Sequence, residues 1–255
     1  MGVSVTISKY GDKKVTDLSD WGRPIARIIA NFLKDKPVSV IQVTNLHLVL
    51  TIYCSWLILE GSMVTACALL VVKGVIDAVD GELARIRDKP SHVGRYWDTI
   101  ADSIGLFAVM FSFAVVLQWT PYLTGLIILA ILFQYSLFNY YSIAMRLLSL
   151  GDTTSRLDER TKPTAYPWEK QSTVNFFHRI YLLSFSWQDR IIAKLSGKGS
   201  ESLMFEFTLS SLLGFGFQSL ILLILALTEQ LDNLPELVLL FNSAVMGAVL
   251  LRSCM

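Results

Sequence analysis

Six apolar stretches, each close to the length of a bilayer crossing, run at about residues 38–60, 62–84, 97–119, 121–145, 203–227 and 234–252. A transmembrane helix needs roughly 20 mostly apolar residues, so this pattern restricts the fold more than any other feature of the chain. It predicts an all-α integral membrane protein with six transmembrane helices. Composition agrees, since 53% of the 255 residues are hydrophobic and only 17% are charged, too apolar for a soluble domain of this length. The segment 176–195 is also partly apolar, but Arg179, Asp189 and Arg190 interrupt it, and it reads as interfacial. Residues 1–36 hold no apolar run followed by a small-residue cleavage site, so the first span is expected to be its own targeting signal.

Positive charge sorts along the chain by membrane side. Of the 22 Lys and Arg, seven precede the first span, one (Lys73) lies within the second, four lie between the second and third, nine lie between the fourth and fifth, and Arg252 stands at the end of the last. The short loops around Gly61, between Trp119 and Pro121, and between Glu229 and Glu236 have none. The positive-inside rule then places both termini and the two charged loops in the cytoplasm. These basic residues form no stripe interleaved with aromatics, so nucleic-acid binding is not expected. Cys54, Cys67 and Cys254 are far apart and show no disulfide or zinc spacing.

Two polar regions flank the spans. Residues 1–18 lack helical periodicity and read as a loose cytoplasmic lead. From there Ile25, Ile28, Ile29, Phe32 and Leu33 recur at helical spacing, with Ser19 or Asp20 as cap, Pro24 in the first turn and Pro37 as the stop. This predicts an amphipathic helix on the cytoplasmic leaflet. The chain thus divides into a lead and interfacial helix over 1–36 and a membrane domain over 37–255. A cytoplasmic loop at about 146–202, containing Pro163 and Pro167, faces the same side and is a candidate lid or substrate-binding element.

The chemistry concentrates between residues 77 and 102. On helices, Asp77 and Asp80 share one face and Asp98 and Asp102 share another, so two antiparallel helices can aim four carboxylates at one volume. Charge within a span costs roughly 2.5–3.5 kcal/mol per Asp on insertion scales, and four like charges need cations. Arg85 alone cannot balance them. Oxygen-only ligation suits Mg²⁺ or Mn²⁺ over Zn²⁺, and two such ions can bridge a diphosphate. Gly81 and Ala84 keep a helix face open, Arg85 suits a phosphate, and Asp102 is the candidate to accept a proton from an attacking hydroxyl. A divalent-cation transporter is the rival reading of the same carboxylates, although the outer halves of the spans are rich in Leu, Ile, Val and Phe.

The spacing of Asp77, Asp80, Gly81, Ala84, Arg85, Gly94, Asp98 and Asp102 resembles the signature of the CDP-alcohol phosphatidyltransferase family at every position. The resemblance implies six membrane helices after an amphipathic helix, and transfer of a phosphatidyl or substituted phosphate group from a CDP-linked donor to an acceptor alcohol, with release of CMP. It implies that Asp77, Asp80, Asp98 and Asp102 hold two metal ions, Mg²⁺ or Mn²⁺, with Asp102 also the general base, and that Gly81 and Arg85 contact the donor nucleotide. Ser91 matches a polar residue near the nucleotide in some members. Asn45 aligns with a nucleotide-side asparagine, although the proline before it and the threonine three residues after it are replaced by Thr44 and Leu48. His47 reads as a core or interfacial histidine, and Glu82 is as well explained by solvent as by a role in the site. CDP-diacylglycerol is the favoured donor, with Arg146 and Arg156 as acceptor-binding candidates. A CDP-amino alcohol acting on diacylglycerol is the alternative. Membrane lipids are expected partners, and the family likeness suggests a homodimer.

Overall fold

The structure is a computed structural model that describes residues 9–11, 15–149, 157, 159–196 and 203–253. Those residues are helical, with no strand among them: α1 (Arg23–Leu33), α2 (Val40–Leu59), α3 (Met63–Ile86), α4 (His92–Val116), α5 (Pro121–Leu148), α6 (Gln171–Ser184), α7 (Ser186–Leu195), α8 (Leu203–Ser210), α9 (Phe215–Leu227), α10 (Leu234–Glu236) and α11 (Asn242–Ser253).

The helices α2, α4 and α5 and the stretch Leu231–Arg252 are long and apolar enough to cross a membrane, and α8 with α9 adds a fifth crossing if that bent pair is one span. The second of the six expected stretches is the helix α3. Its C-terminal half carries Lys73, Asp77, Asp80, Glu82 and Arg85, which leaves it more charged than an ordinary crossing. Boundaries follow local chemistry. Ser39 caps α2 through a reciprocal capping box with Gln42. Ser91 caps α4 and starts it five residues before the apolar stretch begins. Thr120 and Pro121 open α5.

α3 is central, packing on α1, α2 and α9, while α2 also packs on α4. A core of Cys54, Ile58, Cys67, Leu70, Phe113 and Ile127 fills the half of the bundle away from the charged ends. Both cysteines lie buried there as free thiols.

The fifth stretch is not one straight helix. α8 and α9 meet at 41° around Gly214, whose backbone is extended. The N-terminal segment crosses at this break: Leu18 N–H donates to Ser211 Oγ at 3.0 Å and Trp21 Nε1 to the Gly216 carbonyl at 3.0 Å. A Cβ at Gly216 would lie 1.9 Å from the Ser19 carbonyl oxygen, so only glycine permits the crossing. Of the expected loose lead, residues 1–8 and 12–14 lie outside the described residues, and the described part is packed. Tyr10 is buried against Phe207, and its hydroxyl donates to Asp17 at 2.6 Å.

α1 forms over the predicted segment with Pro24 in its first turn, but its N-cap is Gly22, without a side-chain cap. Ser19 donates to Asp17 instead, and Asp20 receives Arg23. Ala26 and Ala30 bury themselves against Val79 and Leu83 of α3. Ile25, Ile28 and Phe32 stay exposed. Arg87 ends the α3 helix by donating to the carbonyls of Leu33, Lys34, Lys36 and Val38, at 2.6 to 2.9 Å, which ties the α1–α2 turn to the α3–α4 turn.

Candidate active site

Three helices build the site. α2 contributes Thr44 and His47, α3 contributes Lys73, Asp77 and Asp80, and α4 contributes Asp98 and Asp102. One ligand atom each from His47, Asp77, Asp80 and Asp98 lies within 4.8 Å of all the others. His47 Nε2 is 3.2 Å from Asp98, 3.7 Å from Asp77 and 3.9 Å from Asp80. Thr44 donates to Asp80 Oδ2 at 2.7 Å, orienting the most buried of the four carboxylates. The set fits a divalent cation, because three carboxylates and an imidazole share a site too small to hold their charge unaided. His47 is fully buried, as a core histidine is expected to be, and its ring faces these carboxylates.

Asp102 stands outside that group. Its Oδ1 receives the Lys73 ammonium at 2.5 Å, and the same ammonium lies 3.5 Å from Asp77 and 4.4 Å from the centre of the Phe215 ring. Lys73 is buried, whereas the Asp102 side chain is 43% exposed, the most open of the four. The chain thus supplies its own cation between Asp77 and Asp102. Sequence reasoning registered Lys73 only as the one basic residue in a span. The signal was its i, i+4 spacing to Asp77, which puts both on one helix face.

Glu82 is not solvated. It is buried and receives Arg23, Arg85 at 3.0 Å and Arg27 at 3.6 Å. Arg85 lies over Gly81, where an added Cβ would stand 3.2 Å from Nη2. The glycine therefore makes room for the guanidinium, and Glu82 aims it. Ser91 caps α4 through Gly94 N–H at 2.8 Å and donates to Glu169 at 2.7 Å, and Val93 N–H donates to the same carboxylate oxygen at 2.9 Å. Glu159 pairs with Arg95, and its carbonyl accepts from or faces His178 Nε2 at 2.7 Å. These two glutamates bind the loop after α5 to α4. Asn45 is exposed and accepts from Trp97 at 2.8 Å, linking α2 to α4.

Asp77, Asp98, Asp102 and Lys73 open onto a cavity of about 460 Å³ that reaches Lys9 and Arg146. Such a volume suits a ligand head group. Arg146 is held by the Ser142 carbonyl and hydroxyl at 3.3 and 3.2 Å. The other acceptor candidate, Arg156, lies outside the described residues. Farther along the wall, Asp189 accepts from Ser136 at 2.5 Å and from Tyr181 at 3.0 Å. Burial pushes the Asp189 carboxyl above its ordinary value, more than those two donors lower it.

This geometry coincides with a family match. The sequence model of CDP-alcohol phosphatidyltransferase matches residues 39–211, more than half of the chain and all of the residues from Asp77 to Asp102. The chain belongs to the CDP-alcohol phosphatidyltransferase family. No curated protein is significantly similar to it. As a CDP-alcohol phosphatidyltransferase it is a transferase of substituted phosphate groups in phospholipid synthesis, moving a phosphatidyl-type group from a CDP-alcohol to an acceptor. The matched residues include the whole α2–α3–α4 unit and the loop that Glu159 and Glu169 fasten to it.

Proposed function

We propose that this chain transfers a phosphatidyl group from CDP-diacylglycerol to a small acceptor alcohol and releases CMP. The observation that carries the reading is the convergence of Asp77, Asp80 and Asp98 in one cluster, with Asp77, Asp98 and Asp102 lining a cavity that Arg146 also lines. Asp77, Asp80 and Asp98 are the metal residues, Asp102 is metal residue and base, and the group they would hold is one or two Mg²⁺ or Mn²⁺ ions, whose chemistry is to neutralise diphosphate charge and the leaving oxygen. Gly81 and Arg85 serve the donor diphosphate, with Arg85 aimed by Glu82. Asn45 and Ser91 flank the nucleotide side.

In the transfer step the acceptor hydroxyl gives its proton to Asp102. Its oxygen bonds to the phosphorus distal to cytidine, and the bond from that phosphorus to the CMP oxygen breaks. Lys73 occupies Oδ1 of Asp102, leaving Oδ2 for the hydroxyl. A second ion beside Asp102 would require the Lys73 ammonium to swing off that oxygen. Arg146 and Lys9, at the far part of the cavity, favour an acceptor that carries a phosphate.

The distribution of Lys and Arg supports a cytoplasmic active site, with six crossings that count α3 and the bent α8–α9 pair. The exposed Ile25, Ile28 and Phe32 of α1 support its lying on the inner leaflet. CMP release by the purified protein, measured with CDP-diacylglycerol and with CDP-amino alcohols against a panel of acceptors, tests donor and acceptor together. Asp77→Asn and Asp98→Asn are expected to abolish release. Wild-type rates in purified Asp77→Asn protein would refute the assignment.

A further inference from the structure

A nitrogen ligand in this centre has consequences that four carboxylates would not. His47 is fully buried, and its Nδ1 makes no hydrogen bond, so Nε2 makes the ring's polar contacts. Nε2 faces three carboxylates from two other helices at once. Bonds of about 2.1 Å around an octahedral ion place neighbouring ligand atoms about 3.0 Å apart and opposite ones about 4.2 Å apart. The three separations of 3.2, 3.7 and 3.9 Å lie between those limits. Only the Asp98 contact is of hydrogen-bond length; Asp77 and Asp80 stand at the spacing of ligands that share one ion. Thr44, one turn earlier on α2, already orients Asp80 in the manner of an outer-shell partner.

We propose that His47 Nε2 is a direct ligand of the divalent ion, so that the centre is mixed nitrogen–oxygen and prefers later first-row ions to Mg²⁺. Imidazole suits such ions, whereas carboxylate and water suit Mg²⁺ equally well with or without it. The inference rests on the metal-dependent reading of the site but not on the identity of donor or acceptor.

The experiment uses the full-length, tag-free protein in nanodiscs, without nucleotide, with Mn²⁺ as the probe. The chain has three histidines, His47, His92 and His178. Pulsed electron paramagnetic resonance of the Mn²⁺-loaded wild type is expected to show ¹⁴N coupling from one directly bound imidazole. That coupling is expected to change to a ¹⁵N pattern on growth with ¹⁵N-histidine, to vanish in His47→Gln and to persist in His92→Gln. In direct titrations the ratio of Co²⁺ to Mg²⁺ affinity is expected to fall about tenfold or more in His47→Gln. The wild-type spectrum decides without any variant. Mn²⁺ that fails to bind, binds without ¹⁴N coupling, or keeps that coupling in His47→Gln overturns the proposal. Coupling without CMP release from any CDP-linked donor would instead overturn the transferase reading and leave the ligation standing.

Discussion

Replacing Glu82 by Gln tests whether one buried carboxylate holds both α1 and the Arg85 guanidinium. Glu82 is 3% exposed and receives Arg23 from the start of α1 and Arg85 from its own helix. Each bond involves two charged groups and contributes about 1.5–3 kcal/mol, against about 0.5–1.5 kcal/mol for a neutral substitute. Two such losses come to about 2–3 kcal/mol. The third partner, Arg27, is half exposed and 3.6 Å away, so it adds less than about 1 kcal/mol. For a chain of this size each kcal/mol moves the melting temperature by roughly 2–4 °C, which puts the expected drop near 5–10 °C. Thermal unfolding in detergent measures it. Tryptic cleavage at Arg27 should accelerate in parallel, because α1 loses its charged tether to α3. With Arg85 no longer aimed, KM for the CDP-linked donor should rise more than kcat falls. A melting shift below about 1 °C, with unchanged cleavage at α1, would refute the argument.

Three more outcomes follow from named contacts. Lys73→Met leaves Asp102 and Asp77 without their internal cation. Removing one partner of a buried pair costs up to about 3–5 kcal/mol, and Mn²⁺ should raise the melting temperature of this variant more than that of the wild type. Asp17 is held below the ordinary carboxylate range: burial raises it, but Lys9 and the hydroxyls of Tyr10 and Ser19 outweigh that. Its contribution to stability is therefore present above the unfolded value near pH 4 and is lost as pH falls through the lower folded value. Unfolding between pH 3 and 6 should show this loss, and Asp17→Asn should flatten it. Gly216→Ala forces a Cβ against the Ser19 carbonyl, so the N-terminal segment must leave the α8–α9 break. Faster proteolysis around residues 15–21, at unchanged membrane insertion, would register it.

Apolar length located the helices well because bilayer thickness imposes a period that single residues cannot disguise. α2 and α5 begin within two residues of the expected positions, each behind a capping side chain. What escaped was set by contacts between distant segments. The bend at Gly214 exists because Ser19 and Trp21 pass there, and nothing within 203–227 announces a visitor from the N-terminus. The lead looked loose because its residues are polar. Yet Asp17 gathers Lys9, Tyr10 and Ser19 around itself, and a polar segment that satisfies its own groups can be buried without cost from unpaired donors.

The site divides along the same line. The approach of Asp77, Asp80 and Asp98 was legible because their helical spacings fix common faces, whereas the pairing of Asp102 with Lys73 was not. His47 and Lys73 were passed over because each was weighed within its own helix, where a lone histidine is ordinary and a lone lysine is an anomaly. A buried charge inside an apolar span must find its partner. Lys73 has Asp77 one turn on, and across the helix interface it has Asp102. His47 shares a face of α2 with Thr44, three residues earlier, and Thr44 itself reaches Asp80. Spacing alone leaves two candidate stripes on α2, because Gln42 and Asn45 are three apart just as Thr44 and His47 are. Packing decides between them: Thr44 and His47 turn to the carboxylates of α3 and α4, and Asn45 turns away to Trp97.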